Sequence, residues 1–213
     1  MHLKGIGIPH KYFYCSLIIV KISIPSSIKI INSKAFFCCA YLREVTFESH
    51  SSLTKICNNA FVCCSFEQIL IPSSVTCIEH NAFSECHSLK HISIPSSLEK
   101  IEPETFKNCE LLETVSFEMP ISLKIVGERC FENCTSMKKM WIPYSVQKIE
   151  AHAFSGCTSL TEIIIPSSVT SIGDSAFLKC SSLTHITIPS SVTSIGRMAF
   201  FECSSLEYVE ILA

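Results

Sequence analysis

The sequence lacks a strong charge of either sign. Its 213 residues carry a net charge of -2, and only 17% of them are Asp, Glu, Lys or Arg, with the two signs interspersed. A chain without an excess of positive charge has no long-range field that attracts phosphate backbones. We therefore expect no nucleic acid among its partners.

Long hydrophobic runs are also missing. A membrane-spanning helix needs about 18 or more apolar residues in a row, and the longest candidate, Tyr12 to Val20, is much shorter. This stretch is compatible with a short signal-peptide core, but no convincing cleavage site follows it. We favour a degenerate repeat, because Ile19, Ile22 and Ile24 match apolar positions of later repeats. We predict no membrane span and interpret residues 1–18 as a degenerate or capping segment.

Residues for several kinds of catalysis are scarce. The single aspartate, Asp174, leaves little for Asp-dependent triads or multi-aspartate metal sites. The eight histidines are scattered, and no H-E-x-x-H, G-x-S-x-G, G-x-G-x-x-G or G-x-x-x-x-G-K-[ST] pattern occurs. The many Ser and Thr residues lack a neighbouring base and are interpreted as turn formers. We predict a protein that is not an enzyme and that holds no cofactor or metal.

What the chain does have is hydrophobic material, at 47% of its residues, arranged in a repeat of about 23 residues. An aliphatic residue stands eight positions before the Phe of every Phe-x-x-Cys motif. The motif occurs at Phe36/Cys39, Phe61/Cys64, Phe83/Cys86, Phe106/Cys109, Phe131/Cys134, Phe154/Cys157, Phe177/Cys180 and Phe200/Cys203. The small length changes, at Glu48 to Ser52, Cys64 to Phe66 and Glu118 to Ser122, fall between these framework positions and are expected in loops. We predict one domain over 1–213, with repeats from about 19 to 212.

Each repeat predicts the same series of short elements. Apolar residues alternate before a proline, as in Leu183 to Pro189, which indicates a strand. A turn and a second short extended segment follow. The segment from Arg197 to Cys203 is predicted to form one helical turn. Because one such unit cannot bury its own apolar face, stacked units with parallel strands should form a continuous core with an aromatic stack of Phe side chains.

The fourteen cysteines require an interpretation of their own. Eight belong to the repeated motif, where Cys acts as a small buried hydrophobe. The other six are Cys15, Cys38, Cys57, Cys63, Cys77 and Cys130. The pairs Cys38-Cys39 and Cys63-Cys64 are adjacent, unlike the C-x-x-C pairs of zinc sites. We expect reduced, buried thiols in the motif; disulfides between repeats are the alternative if the protein is secreted.

The segments Cys157 to Cys180 and Cys180 to Cys203 contain, almost whole, C-x-S-L-T-x-I-x-I-P-S-S-V-T-S-I-G-x-x-A-F-x-x-C. This motif resembles the BspA-like class of leucine-rich repeats. The resemblance implies a repeat solenoid: a curved, right-handed array of about eight 23-residue repeats. Parallel β-strands would line its concave face, with short strands and helical turns on the other sides. It also implies surface or secreted proteins associated with adhesion and protein binding, although the class includes members with no clear export signal, so the compartment stays open.

If Leu183, Ile186 and Ile188 point inward, the residues between them point outward on the concave face. Large apolar or aromatic side chains exposed on such a face are typical anchors of protein interfaces. We therefore predict a protein-binding site around Trp141, the only tryptophan, although Trp141 could instead simply pack on Ile164 and Ser116. The predicted site residues are Trp141, Lys139, Leu70, His91, Glu162, Ile164, His185 and Tyr208.

These patterns favour a non-catalytic module that binds a partner protein through its concave face, in cell-surface adhesion or in another setting. The alternative is a structural or self-assembling repeat protein, or a fragment of a larger one. Its basis is the apolar end Ile211-Leu212-Ala213, which lacks a polar capping repeat and could mediate self-association.

Overall fold

The computed structural model describes residues 7–212, and all of its regular elements are short β-strands. Each complete turn of the chain contributes a first strand and, after a proline-containing or equivalent corner, a second strand of two residues. The first strands are β2 (Lys21–Ile24), β4 (Glu44–Phe47), β6 (Gln68–Ile69), β8 (His91–Ile94), β10 (Thr114–Phe117), β12 (Lys139–Trp141), β14 (Glu162–Ile164), β16 (His185–Ile188) and β18 (Tyr208–Ile211). The second strands are β1 (Gly7–Ile8), β3 (Ile30–Ile31), β5 (Lys55–Ile56), β7 (Cys77–Ile78), β9 (Lys100–Ile101), β11 (Ile125–Val126), β13 (Lys148–Ile149), β15 (Ser171–Ile172) and β17 (Ser194–Ile195).

Equivalent strands of successive turns pair in parallel and in register, as His185 pairs with Tyr208 and Lys148 with Ser171. The second strands form two sheets, β1-β3-β5-β7 and β9-β11-β13-β15-β17, and the first strands form four, β2-β4, β6-β8-β10, β12-β14 and β16-β18. Two of the interruptions among the first strands, β4/β6 and β10/β12, coincide with the length changes in the sequence. The parallel repeat solenoid predicted from the sequence is confirmed.

The array contains about nine turns rather than the eight counted from Phe-x-x-Cys. Residues 7–16 form a partial turn that carries no first strand among the described residues. In it, Ile8 pairs with Ile31, and the ring of Phe13 stacks on Phe36 with 5.1 Å between centroids. The motif count missed this turn because Ser16 stands where every later turn has cysteine.

The predicted stack of Phe side chains is confirmed and runs from Phe13 to Phe200. Neighbouring ring centroids are 5.0 to 5.6 Å apart and nearly parallel. Phe66, which follows the shortened loop of its turn, is fully buried and meets Phe61 edge-on at 5.9 Å. Phe66 thus fills the space that Leu42 and Leu89 fill in the neighbouring turns.

The motif cysteines fill a hydrogen-bonding role as well as a packing role. Each donates its S–H to the backbone carbonyl of the stacked Phe in the preceding turn, over 3.0 to 3.3 Å, from Cys39 to Phe13 through Cys203 to Phe177. Most of these carbonyls also accept the N–H of the residue three positions later, as Phe131 does from Cys134 at 3.2 Å. Both lone pairs of such a buried oxygen are therefore satisfied.

The prediction of a helical turn before each cysteine is wrong. Residues 7–212 contain no helix, and the corner is a series of β-turns, as in the bonds Ala35 N to Asn32 O and Cys39 N to Phe36 O. The residues two before and two after each stacked Phe have positive φ, such as 58° at Lys34 and 54° at Cys38. Alternate N–H groups point along the solenoid, and Phe36 N donates to Ala60 O at 2.8 Å. A helix would keep those donors within one turn, so stacking selects the turns instead.

Candidate protein-binding face

The outward positions of the first strands form one continuous surface, called here the first-strand face. Side chains alternate along each strand, so that in β16 His185 and Thr187 are exposed while Ile186 and Ile188 are buried. All eight residues predicted from the sequence lie on this face or at its edge, and all of them are exposed except Glu162, which is partly buried. The inward and outward assignment of the strands is therefore confirmed, while the binding role of these residues stays a prediction.

Trp141 belongs to a small group of aromatic and aliphatic side chains. Its ring meets Phe117 edge-on at 6.0 Å and Tyr144 edge-on at 5.8 Å, and Ile164 is its register partner in the next strand. Packing nonetheless leaves Trp141 37% exposed, Ile164 52% and Tyr144 71%. We call Phe117, Trp141, Tyr144 and Ile164 the Trp141 cluster. Trp141 thus packs against its neighbours and is also exposed to solvent.

A row of polar side chains borders the Trp141 cluster. Lys139 Nζ lies 2.6 Å from Glu162 Oε2, one strand further along. The hydrogen bond and the positive charge of Lys139 lower the pKa of the Glu162 carboxyl, with a smaller effect of His185. His185 pairs in register with Tyr208, so Lys139, Glu162, His185 and Tyr208 occupy equivalent positions in four consecutive turns. The Trp141 cluster therefore lies beside two opposite charges, Lys139 and Glu162, that are bonded to each other.

Leu70 and His91 do not join this group. Leu70, 75% exposed, follows β6 and borders a recess of about 990 Å³ with Tyr41, Thr46 and Gln68, where β4 and β6 are not paired. His91 Nδ1 lies 2.7 Å from Thr114 Oγ1 in the next turn. The structure thus brings Lys139, Trp141, Glu162 and Ile164 together in two paired strands. His185 and Tyr208 lie one and two turns further on, and Leu70 and His91 lie in the N-terminal half of the same face.

Two members of the Trp141 cluster, Phe117 and Tyr144, were missed by the sequence reasoning. Tyr144 follows Pro143 and occupies the position at which other repeats have Ser, such as Ser96 and Ser167. That departure from the repeat was the available signal. Phe117 occupies an inward position of β10 but stays half-buried because no proline corner follows it directly. No signal in the sequence distinguishes it from Phe47, which occupies the same position in β4.

Two further features concern all of the residues that the structure describes. Within residues 7–212, no three or more side chains of His, Cys, Asp or Glu are gathered in a way that could hold a metal ion. No helix that could cross a membrane is present in that range either.

Comparison with known proteins agrees with the repeat. The sequence matches the family described as "BspA type Leucine rich repeat region" in six copies, over residues 6–119 and 113–213. The chain belongs to the BspA-type leucine-rich repeat family. No curated protein matches this member of the family.

Solved structures of similar repeat proteins come from bacteria. A leucine rich cell surface protein of Faecalibacterium prausnitzii A2-165 is 28% identical, with a TM-score of 0.60 over 95% of this chain and 62% of that one. A leucine-rich repeat protein of T. pallidum is 27% identical, with a TM-score of 0.67 over 88% of this chain and 78% of that one. A leucine-rich repeat protein of Eubacterium ventriosum ATCC 27560, 21% identical, shares the fold with a TM-score of 0.69 over 86% and 58%. This chain spans about three fifths of the F. prausnitzii and E. ventriosum chains.

Proposed function

We propose that the chain is a non-catalytic module that binds a partner protein through the Trp141 cluster on its first-strand face. The observation that carries the proposal is the exposure of Trp141 within a group that contains two further aromatic rings. Trp and Tyr are enriched among the residues that dominate binding energy at protein interfaces, because each buries a large area at a low cost in side-chain entropy.

The surroundings of the cluster support a protein rather than a small molecule as ligand. The first-strand face is open, and the exposed apolar side chains lie beside polar ones, as Trp141 and Ile164 lie beside Lys139 and Glu162. An apolar centre with a polar rim is the usual arrangement of protein interfaces, whereas small-molecule sites enclose most of the ligand. Family membership adds to this, since leucine-rich repeat solenoids are typically non-catalytic.

Adhesion at a cell surface is the more specific form of the proposal. Its support is the F. prausnitzii relative, which is described as a cell surface protein. Self-assembly is the alternative function predicted from the sequence, and the same experiment separates it from partner binding.

The test compares proteins captured from an extract of the native cell by three immobilised chains: wild type, a Trp141→Ala/Tyr144→Ala variant and a Phe201→Ala control. Phe201 is an aromatic residue 51% exposed at a corner, away from the first-strand face. We expect a protein retained by wild type and by the control but lost with the double variant. The same captured proteins on all three chains, or capture of the chain alone, would contradict the proposal. Matching circular-dichroism spectra confirm that all three chains are folded.

A further inference from the structure

Three cysteines occupy one corner position in three consecutive turns. Cys15, Cys38 and Cys63 each stand two residues after the stacked Phe. Their backbones are in register, because Cys15 N donates to Phe37 O at 2.7 Å and Cys38 N to Val62 O at 2.8 Å. The later turns place Glu85, Asn108, Asn133, Gly156, Lys179 and Glu202 at this position. We call Cys15, Cys38 and Cys63 the thiol column.

The core does not account for cysteine at these three positions. Cys15 is exposed, and Cys38 and Cys63 are only partly buried, unlike the motif cysteines. Their φ angles of 52°, 54° and 57° lie in the left-handed region, where Asn and Gly are favoured and Cys is not. Instead of donating to a buried carbonyl, Cys63 Sγ donates to the carboxylate of Glu85 at 3.2 Å.

The thiols of the column lie one turn apart. Cys63 Sγ reaches the carboxylate of Glu85, which holds the same position in the next turn, so this side chain extends along the solenoid. Tyr14 and Phe37, directly before Cys15 and Cys38, have ring centroids 5.1 Å apart, and two metal–sulfur bonds of about 2.3 Å placed end to end span about 4.6 Å. A disulfide would require the Cβ atoms to approach to about 3.8 Å. The spacing of the turns therefore suits an ion inserted between two sulfur atoms better than a direct S–S bond.

We propose that Cys38 and one neighbouring thiol of the column, Cys15 or Cys63, bind one copper(I) ion in linear two-coordinate geometry. Thiolates are soft ligands that suit copper(I), zinc and iron–sulfur clusters. Of these, copper(I) is satisfied by two ligands. The two thiols lose one proton each, two Cu–S bonds form, and the bis-thiolate complex carries a charge of minus one without any change of oxidation state. This ion needs two ligands only. The proposal therefore departs from the expectation that the protein holds no metal, which rested on the absence of zinc-type cysteine spacing and of multi-aspartate sites.

Nearby charges affect such a complex in opposite directions. Lys11 Nζ lies 5.4 Å from the ring centroid of Tyr14 and Lys34 Nζ 5.7 Å from that of Phe37, so both cations flank the residues directly before Cys15 and Cys38. They favour a negatively charged complex. The carboxylate of Glu85, 3.2 Å from Cys63 Sγ, disfavours it.

The test titrates the reduced full chain, without oxygen, with copper(I) supplied as its bathocuproine disulfonate complex, and measures the loss of colour of that complex. Cys38→Ser removes both adjacent pairs at once, whereas Cys15→Ser and Cys63→Ser each leave one pair. Cys77→Ser is the matched control, since Cys77 is a partly buried thiol outside the column. Circular-dichroism melts verify that each variant is folded.

We expect the wild type and Cys77→Ser to take up about one copper(I) per chain. Cys38→Ser should bind at least about 100-fold more weakly, because even loss of an outer partner weakens metal sites by about 10- to 100-fold. At least one of Cys15→Ser and Cys63→Ser should retain the ion. Undiminished uptake by Cys38→Ser, or loss in both Cys15→Ser and Cys63→Ser, would overturn the two-coordinate site.

Discussion

Inside the solenoid, turn after turn places the same side chain at the same position, whereas on the first-strand face no two turns present the same pair of outward residues. The interior shows Phe13 to Phe200 in one stack and eight cysteines with one hydrogen-bonding pattern. The outward pairs differ, as Lys139 and Trp141 differ from His185 and Thr187. An inward side chain must match identical neighbours above and below it, while an outward one faces solvent. Stability and recognition are thus encoded in different residues of each turn.

The largest effect should come from removing one inward ring. Phe106 is fully buried, with Phe83 at 5.6 Å and Phe131 at 5.5 Å on either side. Phe106→Ala should lower the free energy of unfolding by about 3 to 5 kcal/mol, because the cavity has rigid neighbours on both sides. Chemical denaturation measures this change. Phe201→Ala, at an exposed corner, should shift stability by less than about 0.5 kcal/mol, and equal losses in both variants would remove the distinction between inward and outward positions.

The inward cysteines predict an alkaline loss of stability. Burial raises the pKa of Cys157 from its ordinary 9.0 to about 12. Between these values the unfolded chain releases a proton that the folded chain retains, so this contribution is complete below pH 9 and declines as pH rises towards 12. The decline should be about 1.4 kcal/mol per pH unit for one fully buried thiol.

The measurement is chemical denaturation of wild type and Cys157→Ala at pH 8 and pH 10. The variant should lose about 1.4 kcal/mol less than wild type between the two values. The difference between pH values cancels any constant effect of the substitution. An identical pH dependence in the two chains would show that Cys157 does not remain protonated in the folded state.

The smallest effect is expected at the corners, where the backbone conformation repeats but the side chain varies. Met198 has φ 55° and is 62% exposed, while Asn59 and Asn81 occupy its position in other turns. Met198→Asn should raise stability by about 0.5 to 1 kcal/mol, because Asn tolerates the left-handed region better. The reciprocal Asn59→Met should lower it by a similar amount. Thermal melts compare the two variants, and a shift of the same sign in both would refute this account.

Much of the fold was predictable from the sequence because the same packing requirement on the inward side chains recurs in every turn. Phe106 and Cys109 could be assigned inward positions since every copy has the same residues there. The corner was mistaken for a helical turn because a three-residue spacing does not reveal left-handed residues such as Lys34 and Glu104, which are not residues usually favoured there. Bonds between turns decide that conformation, and they do not appear in the sequence of one turn.

The candidate site was less predictable. Outward orientation placed Trp141 and Ile164 correctly, because it follows from strand alternation alone. Tyr144 reaches Trp141 from a corner after the strand, and Phe117 reaches it from the previous turn. Contacts of this kind depend on how far a corner projects. The length change after β10 lies in the corner that follows Phe117.

The most direct test of separate residues for stability and recognition uses Trp141 itself, since it is the only tryptophan of the chain. Acrylamide quenching of its fluorescence would be measured for the free protein and again with a saturating amount of the captured partner. A partner fragment without tryptophan keeps the signal specific to Trp141. The account predicts quenching in the free protein, because Trp141 is 37% exposed, and strong protection with a blue-shifted emission in the complex. Unchanged quenching while the partner is bound would place recognition elsewhere and contradict the account.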